Sequence, residues 1–216
     1  METINAMHIT IFGASGQVGK AIVREALKRG HGVTAVVRDP AKLTEEHERL
    51  NVVTGNILDP ASVASVCEGQ DAVISAYGPT FGEEQELLEA ARSLIEGVQR
   101  AGVKRLLIVG GAGSLKTGPD TLLMDTPEFP QELVPLARAH ADAYDIYRLS
   151  DLDYSYLSPA AVLETGRRTG NFRIGMDMLI TDEMGSSRIS VEDLAAALID
   201  EMEDPYFVRT RFTVAY

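Results

Sequence analysis

Short apolar runs rich in β-branched residues alternate along the chain with stretches whose apolar positions recur every three or four residues. His8-Ile9-Thr10-Ile11-Phe12 reads as a strand stopped by Gly13. From Gln17 to Arg29 the set Val18, Ala21, Ile22 and Ala26 marks one face of a helix, and Gly30 falls where a left-handed stop is expected. Val33 to Val37 and Asn51 to Val53 give a second and a third strand. Asp59-Pro60 opens a short helix, with Asp as cap and Pro at its first position. Ala72 to Ala76 is a fourth strand. A long amphipathic helix covers about Glu84 to Ala101, burying Leu87, Leu88, Ala91, Leu94, Ile95 and Val98.

Val103 to Val109 is apolar almost throughout, as a strand buried on both faces should be. Pro130 to Leu149 reads as a helix and Tyr154 to Leu157 as a sixth strand. Strands alternating with helices imply βαβ units and a mainly parallel sheet, because parallel strands need crossovers. The fold expected is α/β, a Rossmann-type doubly wound parallel sheet. After Pro159 the pattern changes to glycine and basic residues with short alternating runs such as Asn171-Phe172-Arg173-Ile174. A helix capped by Ser190, with Asp193 at its third position, then turns Leu194, Leu198, Ile199 and Met202 inward. Arg209 to Tyr216 alternates like an edge strand. One domain over residues 1–216 is expected, with about 160–216 forming a small C-terminal cap.

Composition narrows the class. With 45% apolar and 24% charged residues the 216-residue chain is an ordinary globular protein able to bury a full core. No apolar run is long enough for a membrane span, and METINAM has neither the basic nor the apolar region of a secretory signal. A cytoplasmic protein without membrane partners is expected. The net charge of −12 repels phosphate backbones, which argues against nucleic acid. Cys67 is the only cysteine, and the four histidines (His8, His31, His47, His140) lack ligand spacing, so no metal site is expected.

The chemistry concentrates in Gly13-Ala14-Ser15-Gly16-Gln17-Val18-Gly19, where the first strand meets the first helix. That context distinguishes a dinucleotide loop from a chance glycine cluster. Gly13 permits the turn, Gly16 lets backbone approach a pyrophosphate, and Gly19 lets the helix close on the sheet. Ser15, Gln17 and Val18 bring N–H groups to the phosphates at the positive end of the helix. An acidic residue ending the second strand would bond the ribose of NAD, whereas Arg accommodates the 2′-phosphate of NADP. Here Val37-Arg38-Asp39-Pro40 stands at that place. Arg38 predicts NADP, with NAD the alternative because Asp39 can pair with Arg38 or face the ribose.

Other loops at the carboxyl ends of strands should line the same crevice. They are Asn56 and Ile57 after strand three, Ala76-Tyr77-Gly78 after strand four, Gly110 after strand five and Pro159 after strand six. Ser114 and His140 are the polar candidates for substrate, while Arg167, Arg168 and Arg173 could meet an anion such as FMN or simply line a solvated hairpin. The proline-bearing stretch Gly113 to Glu128 is expected as a lid.

With these residues in place, the chain resembles an atypical short-chain dehydrogenase/reductase. Within that group it is most similar to the NAD(P)-binding branch described as NADH-flavin reductases, relatives of NmrA-like proteins. The similarity runs from GASGQVGKAIVREALKRGHGVTAVVRDPAKL through GNILDPASV and GVKRLLIVGGAGSL. LDYSYLSPAAVLETGRRTGNFRIG, ISVEDLAAALIDEMEDP and RFTVAY resemble that branch in particular. The resemblance implies reduction of a small molecule by NAD(P)H, with flavin as a candidate substrate. The family's usual Tyr-x-x-x-Lys pair is missing. Tyr144-Asp-Ile-Tyr147-Arg148 is the nearest pattern, and counting back from Ser158-Pro159 puts the lysine's place near His140 and the tyrosine's near Leu136. Arg cannot exchange protons near neutral pH, so alcohol/ketone chemistry is not expected. Hydride transfer to a flavin needs no such acid. The alternatives are a non-catalytic redox sensor and an enzyme of the sugar-nucleotide epimerase or dehydratase kind. No catalytic residue is assigned and the oligomeric state is left open.

Overall fold

The computed structural model describes residues 5–216. Residues 1–4, part of the stretch read above as no secretory signal, lie outside them. In chain order the elements are β1 His8–Phe12, α1 Gln17–Lys28, β2 Gly32–Val37, β3 Leu50–Thr54, α2 Pro60–Cys67, β4 Ala72–Ser75 and α3 Glu86–Arg100. There follow β5 Arg105–Val109, α4 Val134–Arg148, β6 Asp153–Ser158, β7 Val162–Glu164, β8 Arg173–Gly175, β9 Arg188–Ser190, α5 Val191–Glu203 and β10 Thr210–Ala215. Eight strands make one sheet in the order β3-β2-β1-β4-β5-β6-β10-β8. Neighbours run parallel except at β10–β8. The order reverses between β1 and β4, the switch point at which such sheets open a crevice.

Side-chain alternation divides the core between the two faces. Ile9 and Ile11 of β1 join Ile74, Leu107 and Leu157 under α1 and α5. Phe12 joins Val73, Leu106, Ile108 and Tyr156 under α2, α3 and α4. This is the doubly wound arrangement the sequence pattern implies, with helices covering a sheet buried on both sides. The expected helix signals are present. Gly30 has φ +90°, the Asp59 side chain accepts from Ala61 N–H at 3.0 Å, and Ser190 Oγ accepts from Asp193 N–H at 3.0 Å. No helix among the described residues is long and apolar enough to cross a membrane.

Three differences concern the C-terminal third and the lid. The last strand is not an edge: β10 lies between β6 and β8. Its polar positions look solvent-facing in the sequence because alternation does not reveal buried partners. Arg211 is buried, with its Nη2 on Asp177 at 2.7 Å and its Nη1 on Ser114 Oγ at 2.8 Å. Of residues 160–216, α5 packs beside α1 and both β10 and β8 belong to the main sheet, so the cap narrows to the two-stranded β7–β9 sheet and the loops between those strands. The stretch expected as a lid is tied to that segment by backbone bonds. Lys116 N–H donates to Asp177 C=O and Leu179 N–H to Lys116 C=O, both at 2.8 Å.

Candidate functional site

The turn after β1 exists because glycine stands at both of its tight points. Gly13 has φ +71°, and a Cβ there would lie 2.5 Å from the Ala76 carbonyl oxygen. A Cβ on Gly19 would lie 2.1 Å from the Gly13 carbonyl oxygen, so the first turn of α1 can close on the strand only without one. At Gly16 the nearest atom to a Cβ is 3.4 Å away and the residue faces a cavity. No side chain caps α1, which leaves its first N–H groups to a ligand at the positive end of the helix.

The cavity over this loop has a volume of about 220 Å³. Gly13, Ser15 and Gly16 bound it from the first loop and Arg38 from the end of β2. Asn56 and Ile57 follow β3, and Ala76, Tyr77 and Gly78 follow β4. Gln17, Val18 and Gly19 stand behind this wall: Val18 packs on the core, and Gln17 Nε2 donates to Thr165 Oγ1 at 2.7 Å. Asp39 turns away from the alternatives open in the sequence. Its carboxylate accepts from Ala41 N–H at 3.1 Å and caps the short 3-10 turn Pro40–Lys42, while Arg38 is exposed on the cavity rim. Glu86, which the sequence did not single out, also lines the cavity and accepts a hydrogen bond from the Tyr77 hydroxyl. Burial and the neighbouring Glu86 carboxylate both push the Tyr77 phenol well above its ordinary range. The hydroxyl therefore stays protonated as a donor.

A second cavity of about 420 Å³ opens at the β5–β6 end of the same edge. Gly111 and Ala112 after β5, Pro159 and Ala160 after β6, and Leu136 and His140 of α4 line it. Leu123, Phe129 and Leu133 from the loop before α4 and Leu163 of β7 complete the wall. A space of about 10 Å³ is bordered by Tyr77 of the first cavity and His140 of the second, so the two are neighbours.

The remaining sequence candidates divide. His140 lines the second cavity, whereas Ser114 does not: its Oγ is taken by Arg211. Pro159 lines the second cavity rather than the first. Gly110 lines neither, because the Tyr156 ring fills the place of its missing Cβ, 2.1 Å from where that atom would be. Of the basic trio, Arg167 is exposed and lines neither cavity, and the other two are engaged elsewhere. Arg168 forks onto Glu25 with bonds of 2.8–2.9 Å, and Arg173 donates to the carbonyls of Thr181 and Tyr216.

Proton chemistry is sparse here. The places counted for the family's Tyr and Lys hold Leu136 and His140, and both line the second cavity. Burial alone pushes the His140 imidazole down to about 4, so it is uncharged at neutral pH. Tyr144 lies elsewhere, its ring 4.6 Å from that of Tyr156 and 5.1 Å from the Arg211 guanidinium carbon. Tyr147 is buried in the core. Among the described residues no group of three or more His, Cys, Asp or Glu side chains is placed to hold a metal ion.

A glycine turn into an uncapped helix, at the switch point of a parallel sheet, defines a Rossmann-type nucleotide-binding fold. The chain belongs to the NAD(P)H-binding family, whose pattern matches residues 13–205. It is 41% identical to the Bacillus subtilis protein YwnB over 96% of this chain and 98% of that one. A Bacteroides thetaiotaomicron structure provisionally named an epimerase is 44% identical, with a TM-score of 0.92 over 98% of both chains. A Streptococcus pneumoniae structure provisionally named an NADH-flavin reductase is 35% identical, with a TM-score of 0.86 over 97% of this chain and 99% of that one.

Proposed function

We propose that this protein is a cytoplasmic NADPH-preferring reductase that passes hydride to a flavin or similar planar acceptor. The observation that carries the reading is the pairing of a phosphate-type cradle with an adjoining apolar cavity that has no acid–base pair. When bound, the reduced nicotinamide supplies the two electrons and hydrogen as hydride, and water supplies the proton that completes reduction of the acceptor. The chain's own residues bind and orient. Gly13, Ser15 and Gly16 would hold the pyrophosphate, and Arg38 the 2′-phosphate that distinguishes NADPH. Pro159 and Ala160 line one side of the acceptor cavity, and Leu123, Phe129 and Leu133 present hydrocarbon on the other. An epimerase or dehydratase needs a group that shuttles protons at the substrate. A neutral His140 among Leu136, Leu163 and Phe129 does not favour that chemistry.

The test is a titration of the purified protein with NADPH and NADH, then oxidation assays at saturation with and without flavin. Tighter NADPH binding and flavin-dependent oxidation are expected. Binding without turnover on any acceptor would replace the reductase by the redox sensor and direct the search to a protein partner.

A further inference from the structure

We propose that the cavity at the β5–β6 end selects uncharged aromatic acceptors and discriminates against phosphorylated ones such as FMN, with Glu128 as the discriminating residue. The proposal rests on the reductase reading for its acceptor chemistry but stands on its own geometry. At about 420 Å³ the cavity falls within the roughly 300–1,000 Å³ of small-molecule pockets. Leu123, Phe129, Leu133, Leu136, Leu163 and Pro159 present hydrocarbon to its occupant. The charged residue in the lining is Glu128, an exposed carboxylate of the same sign as a phosphate.

No Arg or Lys among the described residues lines this cavity. Arg168 is paired with Glu25, Arg211 with Asp177 and Ser114, and Arg173 with two backbone carbonyls. Arg38 belongs to the neighbouring cavity. His140 is the titratable nitrogen base in the lining, and since burial holds it at about 4 it offers a phosphate no positive charge near neutral pH. A neutral imidazole is suited instead to a hydrogen bond with a ring carbonyl. Thr126 also lines the cavity, but its hydroxyl donates to the Leu123 carbonyl at 2.8 Å and so holds its own loop.

Riboflavin and FMN share one ring system and differ by the phosphate, which makes them the discriminating probes. With the protein saturated by NADP⁺, so that no reaction runs, riboflavin should bind at least about ten-fold more tightly than FMN by flavin fluorescence titration. Glu128→Lys should bring FMN to within about two-fold of riboflavin, with an unaltered NADP⁺ titration showing that the fold is intact. Leu136→Glu should abolish riboflavin binding, with an unaltered NADP⁺ titration showing that the fold is intact. Equal or tighter binding of FMN by the unaltered protein, or no riboflavin binding at all, would overturn the proposal. Riboflavin bound but not reduced by NADPH would refute the reductase reading and leave the cavity assignment standing. Preferential FMN-dependent oxidation would do the reverse.

Discussion

At the β1–β4 end of the sheet the phosphate side of the cavity is formed by backbone at small residues. Gly13, Gly16, Ala76 and Gly78 bring main chain to its surface, and each sits within a few residues of a strand end. At the β5–β6 end the wall is side chains drawn from distant places: Leu123 before α4, Leu136 and His140 on it, Pro159 after β6 and Leu163 in the cap. A wall of backbone binds what every dinucleotide shares, a pyrophosphate. A wall of assorted side chains sets which second molecule can enter. The first depends on short-range sterics and the second on tertiary packing, so the two ends should fail differently when disturbed.

The largest effect should come from an ion pair at the opposite, amino-terminal edge of the sheet. Arg105 of β5 donates to Glu201 of α5 at 2.8 Å, and Ser155 of β6 donates to the same carboxylate oxygen at 2.8 Å. Glu201 also takes the backbone N–H groups of Tyr206 and Phe207. Glu201→Ala leaves a buried guanidinium unpaired and should cost about 3–5 kcal/mol in chemical denaturation. A loss below about 1 kcal/mol would mean that water readily replaces the carboxylate.

Gly13→Ala should come next and act on the β1–β4 end. The substitution forces a Cβ against the Ala76 carbonyl at a φ of +71°, so it should destabilise the fold by about 1–3 kcal/mol. It should weaken NADPH and NADH alike, because the cradle and not a nucleotide-specific contact is disturbed. Arg38→Asp should instead separate the two nucleotides. NADPH affinity should fall about ten- to a hundred-fold, the range for a lost charge-assisted bond, with NADH changed far less. Equal losses would make Arg38 a structural residue and leave nothing at the first cavity to distinguish the nucleotides.

Legibility in the sequence follows the same division. The glycine turn, the strand run Val33 to Val37 and the position of Arg38 are local patterns, and β1, α1 and β2 lie where periodicity puts them. The second cavity has no such pattern, because Leu123, Leu136 and Leu163 are ordinary apolar residues until three segments fold together. Arg211 and Thr213 misled the reading of β10 for a related reason. Alternation reports polarity, and both residues are polar yet buried, Arg211 because Asp177 and Ser114 wait for it.

A smaller effect should appear in acid. Asp193 joins the cap to α5 by accepting from Thr169 N–H and Oγ1–H, Gly170 N–H and the Tyr216 hydroxyl. Burial alone would raise its pKa, but these bonds outweigh it and hold the carboxyl below its ordinary value. A carboxyl depressed on folding contributes stability above its unfolded pKa and loses it as pH falls through the folded value. Asp193→Asn should therefore lower the melting temperature by a few degrees at pH 7. The gap to the unaltered protein should shrink below about pH 4. A gap independent of pH would assign the tether to shape rather than charge.

Tyr144→Phe should have the smallest effect, and its smallness discriminates. Had the family's Tyr/Lys chemistry merely slipped one turn along α4, Tyr144 and Arg148 would carry it and the loss of one hydroxyl would stop turnover. The Tyr144 ring instead packs at a tilt against Tyr156 and beneath Arg211, and it lines neither cavity. Phenylalanine keeps the ring face that both contacts use. Stability should then change by less than about 0.5 kcal/mol, and flavin-dependent NADPH oxidation should stay within about two-fold. A collapse of turnover with unchanged nucleotide affinity would return the proton donor to α4. It would also mean that the side-chain-built end holds a catalytic acid, so that the line between the two ends would no longer separate binding from selection.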